Sequence, residues 1–71
     1  MDKKVADFMI FITEKIAQHF FDGDSARAYD LMQSTGFWDF LTSTYSTSHT
    51  LSVEYLLEDA TEWFLKSGVE L

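Results

Sequence analysis

The chain has 71 residues, among them seven Phe, three Tyr and two Trp, with no cysteine, no proline and a net charge of −7. That length holds one domain, which buries only about 60% of the surface its unfolded chain exposes, and without cysteine neither disulfides nor a thiolate zinc site can add to the core. Twelve acids against five bases leave no basic patch to displace counterions from phosphates, which argues against direct binding to nucleic acid or to an anionic membrane.

The first element follows from spacing. Val5, Phe8, Met9, Ile12 and Ile16 fall on one helical face, and Ile10, Phe11 and Ala17 widen it, so residues 3 to 21 are predicted to form a helix at the heart of a bundle. The densest apolar run, Phe8 to Ile12, is five residues long, whereas a membrane span needs about 20. The opening Met1-Asp2-Lys3-Lys4 looks like the start of a secretory leader, but Asp7 and Glu14 interrupt any apolar stretch and no cleavage site follows, so a cytoplasmic location is expected.

Asp22-Gly23-Asp24 reads as a turn, with Asp24 placed to cap a second helix whose inner face is Ala28, Leu31 and Met32. Gly36 should close that helix in the left-handed conformation. Phe37, Trp38, Phe40 and Leu41 follow as a short apolar helical piece. Thr42 to Thr50 is rich in hydroxyls that compete for backbone hydrogen bonds, and is predicted to be the one real loop. The last helix, residues 51 to 66, turns Val53, Leu56, Leu57, Ala60, Trp63 and Phe64 inward. The expected fold class is therefore all-α, a compact bundle of three main helices plus one short helix, with residues 1–71 as a single domain.

The chemistry of sites is sparse. His19 and His49 have no second His or Cys at a metal-binding spacing, and the twelfth position counted from Asp22 is Gln33 where a calcium loop needs a bidentate Glu. Neither a metal nor a cofactor is expected. His49 lies among Ser46, Thr47, Ser48 and Thr50, yet no nucleophile elbow and no glycine-rich loop accompanies them, so His49 is expected to pack near the start of the last helix and bond a nearby carbonyl. An enzyme is not expected.

More informative is the outer face of the last helix. Glu54, Glu58 and Glu62 form an i, i+4, i+8 stripe with Asp59 beside it and no lysine within it, at a cost of a few tenths of a kcal/mol for each like-charged pair. The aromatic content around Phe20, Phe21, Phe37, Trp38 and Tyr55 is large for so small a core. The candidate interface therefore comprises Glu54, Glu58, Asp59 and Glu62 with Trp38, Tyr55 and His49. An acidic rim around aromatic anchors suits docking on a basic partner protein. Two rival readings are a homodimer held by the spare aromatics and mimicry of nucleic-acid charge. The second is weaker, because about one negative charge per ten residues is modest beside one per 1.7 Å of duplex axis.

Asp24 to Tyr29, Gly36 to Tyr45, His49-Thr50 and Tyr55-Leu56-Leu57-Glu58-Asp59, taken in that order, resemble a bacterial family catalogued as domain of unknown function 3791, over the span from Phe8 to Phe64. Its members share a polar helix start followed by tyrosine, a glycine, an aromatic-rich short helix ending in tyrosine, a His-Thr pair and a Tyr-apolar-apolar-acid-Asp segment. Where the family usually carries leucine before the histidine, this chain has Ser48, so a different packing of that segment is expected. The resemblance implies no activity. It does imply a gene context beside a second small family similar to ADP-ribosyltransferases, and hence an antitoxin-like neutraliser whose partner is the product of a neighbouring gene.

Overall fold

The structure, a computed structural model, describes residues 1–71 and contains helices only. They are α1 (Lys3–Phe20), α2 (Ser25–Thr35), α3 (Phe37–Ser43), α4 (Tyr45–Ser48) and α5 (Val53–Lys66). The three longest helices begin on side-chain caps: Asp2 accepts from the Lys4 N–H, Asp24 from the Arg27 N–H and Ser52 from the Tyr55 N–H. Each cap satisfies a backbone donor that has no partner inside its helix. Between α2 and α3 the chain turns on Gly36, whose φ of 79° is the left-handed conformation that glycine enters without steric cost.

The core forms where the predicted faces meet. Met9, Ile12, Ile16 and Ala17 of α1, Ala28 and Met32 of α2, Phe37 and Leu41 of α3, and Leu56, Ala60 and Phe64 of α5 make one buried cluster. Helix α1 packs against α2, α3 and α5, which makes it the central element. The radius of gyration is 11.1 Å, the size expected of a well-packed domain of this length, about 11 Å. Aromatic rings knit the layers: Phe64 meets Phe20 edge-on at 6.0 Å and Phe37 at 5.4 Å. The Trp63 indole N–H donates to the Thr35 carbonyl at 2.9 Å, tying α5 to the end of α2.

Two expectations need correction. The hydroxyl-rich stretch is helical and not a loop: α3 runs on to Ser43, the chain bends at Thr44, and α4 is one further turn. The hydroxyls bond to carbonyls of the preceding turn while the backbone stays helical. Ser43 Oγ donates to the Asp39 carbonyl at 2.8 Å, Thr44 Oγ1 to the Phe40 carbonyl at 2.8 Å, and Thr42 Oγ1 to the Asp39 carbonyl at 3.1 Å. These are back-bonds of the kind that Ser and Thr make inside helices. Secondly, α1 is not apolar toward the bundle around most of its girth. Ala17 is buried, but Ile10 is 62% exposed and Phe11 45% exposed. Five helices enclosing a core of eleven residues leave one side of α1 uncovered.

Candidate protein-binding surface

The acidic residues of α5 divide between two grooves. A helix turns 100° per residue, so a row spaced by four drifts around the axis as it rises, and the stripe ends on a different side from where it begins. Glu54 and Glu58 line a groove with His19, Leu57 and Thr61, facing the end of α1. Asp59 and Glu62 line another, with Phe37, Phe40, Trp63 and Lys66, facing α3. Lys66 stands four residues beyond Glu62 and shares its groove, so the stripe has a cation at its far end. None of these carboxylates is in an ion pair; the one pair in the protein is Lys3 with Asp7, at 2.8 Å on α1.

The groove between α3 and α5 has an aromatic floor. The Phe40 and Trp63 ring centroids are 4.9 Å apart and inclined by 31°, and the fully buried Phe37 ring lies 5.5 Å from that of Trp63. Phe40 also stacks on Phe37, with centroids 6.1 Å apart, and is 37% exposed, so part of the residue is open to a partner. The hydrogen bond from Trp63 to Thr35 holds the indole in place, and the two carboxylates line the groove together with Lys66. Such a site suits a cation, which the ring faces and the carboxylates attract together.

The remaining candidates are scattered. Tyr55 is 50% exposed, with the acids on the outer side of α5. Trp38 lies elsewhere, in a largely apolar groove with Ile10, Thr13, Glu14, Ser25, Ala26 and Tyr29, its ring edge-on to Tyr29 at 5.1 Å. His49 stacks on Tyr45, with centroids 4.6 Å apart, and its Nδ1–H donates to the Tyr45 carbonyl at 2.6 Å. The nearby carbonyl that it bonds is thus that of Tyr45, in α4. The Ser48 hydroxyl is paired with that of Thr44 at 2.8 Å, leaving no Ser-His couple. No three His, Asp or Glu side chains converge as metal ligands would.

A family model described as protein of unknown function (DUF3791) matches residues 7–66. The chain belongs to this family. The DUF3791 match takes in all of α2 to α5 and every candidate residue named above. Ser48, where the resemblance leads to leucine, is buried, and its hydroxyl is satisfied by Thr44, so the polar replacement is accommodated. No curated protein and no solved structure matches the chain. No helix is long and apolar enough to cross a membrane.

Sequence reasoning missed Phe40, Trp63, Lys66 and His19 as parts of these grooves. The spacing of Glu62 and Lys66 was the available signal for the lysine. Trp63 and Phe40 carry helical spacing that marks them as core, and only the packing of α3 against α5 brings their outer edges to the surface. Nothing in the sequence places His19 beside Glu54.

Proposed function

We propose that this protein is a non-catalytic binding module that acts in the cytoplasm on a partner protein, as an antitoxin-like neutraliser of an enzyme encoded beside it. The observation that carries this reading is the groove between α3 and α5, where the Phe40 and Trp63 rings lie 4.9 Å apart and Asp59 and Glu62 join them in the lining. A basic side chain of the partner, an arginine above all, enters there: its planar guanidinium stacks on the rings while its donors reach the carboxylates. Glu54 and Glu58 extend the negative field along α5 and speed encounter with a basic surface.

The test is co-expression with the neighbouring gene's product and the mass of what co-purifies. The expected result is a mixed complex whose association slows about tenfold or more when Asp59→Lys and Glu62→Lys are combined, with weaker dependence on salt. Phe40→Ala removes ring surface without touching the Trp63 hydrogen bond and should speed dissociation. A complex that forms at the same rate and lasts as long in both variants would remove this groove from the interface.

A further inference from the structure

The net charge is distributed unevenly. Residues 1–21 hold three acids and three bases, while residues 22–71 hold nine acids and two bases, so the whole −7 lies beyond α1. On the balanced segment sits exposed apolar surface: Ile10 is 62% exposed and Phe11 45% exposed. Ile10 continues into the apolar groove formed with Tyr29 and Trp38, an open trough of about 430 Å³. Around this centre the outer side of α1 is ordered by charge. Lys3, Lys4 and Asp7 lie toward its start, and Glu14 and Lys15 toward its end.

We infer that the outer face of α1 is a self-association surface, on which two copies of this chain pair antiparallel about a two-fold axis passing near Phe11. Two objections to other arrangements support this. A protein of charge −7 repels its own copies over every surface that carries the surplus, and α1 is where two copies can approach without that penalty. In a parallel pairing Lys3 and Lys4 would face their own equivalents. The antiparallel pairing about Phe11 sets Asp7 of one copy opposite Lys15 of the other, and Lys4 opposite the uncharged Gln18. The Lys3–Asp7 pair is exposed to solvent and so exchanges partners at little cost.

Size allows it. An 18-residue helix is ~27 Å long, close to the 31 Å longest extent of the molecule. An ordinary interface takes about 800 Å² from each partner, roughly a sixth of the 4511 Å² surface of one chain. A crossing of two α1 helices, with Ile10 of each copy reaching toward the Tyr29–Trp38 groove of the other, is isologous: the same patch supplies both the projecting side chain and the recess.

Light scattering across a range of protein concentrations tests this on the intact chain expressed alone. The expected mass rises toward twice the 8.2 kDa of one chain, and Ile10→Ser combined with Phe11→Ser weakens the dimer at least about tenfold while the helical circular dichroism is unchanged, since neither side chain belongs to the core. Asp7→Lys and Lys15→Glu each weaken it, and the two together restore it because the facing charges have been exchanged. The double change Asp59→Lys, Glu62→Lys leaves it intact, which separates this surface from the proposed partner groove. A chain that stays monomeric at every concentration overturns the inference, as does a dimer indifferent to Ile10 and Phe11. Failure of the charge exchange to restore association overturns the antiparallel pairing. A monomer that loses a mixed complex on changing Ile10 and Phe11 assigns the face to a different partner and overturns the inference equally.

Discussion

Helices α1 and α5 are the two most clearly amphipathic elements of the chain, yet their outer faces are opposites. The outer face of α5 carries Glu54, Glu58 and Glu62 in line with Asp59 beside them, while that of α1 carries balanced charge around exposed Ile10 and Phe11. Both helices turn the same kind of side chain inward, to one shared core. The difference therefore lies wholly in residues that contribute little to folding, and such residues are free to answer to solubility or to binding. The contrast teaches that a 71-residue domain can offer two chemically distinct surfaces from one core.

The comparison breaks most completely if the core that supports both faces is emptied. Phe64 is fully buried and its ring meets Phe20 of α1 and Phe37 of α3. Phe64→Ala should cost about 3–5 kcal/mol, a large share of the stability of a domain this small. Urea denaturation followed by circular dichroism measures it, and a loss below ~1 kcal/mol would mean that the faces do not depend on this ring. Ile12 and Ile10 give a sharper contrast within α1 itself. Ile12 has no exposed surface, so Ile12→Ala should cost about 2–5 kcal/mol. Ile10→Ala in the monomer should stay within about 0.5 kcal/mol. Equal losses at the two positions would show that the outer face is buried in the species measured.

Of intermediate size is Gly36→Ala. At a φ of 79° an alanine is strained although nothing lies within 4 Å of the added Cβ, so the cost is conformational and not steric, about 1–2 kcal/mol. A neutral result would mean that the turn between α2 and α3 relaxes to another conformation, which would shift Phe40 relative to Trp63 and so the floor of the candidate groove.

What the sequence reveals and conceals divides along the same line. The inward faces follow from spacing alone: every buried side chain of α5, Leu56, Ala60 and Phe64, belongs to the predicted face. The cap at Asp24 and the turn at Gly36 follow from residue type. The hydroxyl-rich segment misleads because propensity scores Ser and Thr by what they do in isolation, whereas here their back-bonds to Asp39 and Phe40 join a helix already started by apolar packing at Phe37 and Leu41. The candidate grooves are less legible still. Asp59 and Glu62 can be chosen from the sequence, but their association with Phe40, and the separation of Trp38 from them, depends on the angle at which α3 leaves Gly36. Periodicity carries no information about that angle. Ile10 and Phe11 look like core for a related reason: spacing identifies an apolar residue but not whether the chain is long enough to cover it.

The smallest effect bears most directly on whether the α5 face is functional. Glu58 is exposed and stands four residues from both Glu54 and Glu62. Glu58→Lys turns two repulsions into two attractions, and the order Glu54 before lysine is the better one for a helix. Stability should rise by roughly 0.5–1 kcal/mol at low salt, and the gain should fade toward molar salt, where the screening length is about 3 Å. If the face is only a solvated surface, that gain is the whole consequence, and the substitution improves the protein. If the face meets a basic partner, the more stable protein associates more slowly with it. Thermal melts at two salt concentrations beside association rates with the co-expressed partner separate the cases. A rise in stability accompanied by a fall in association rate is the signature of charge retained for binding at the expense of the helix that carries it.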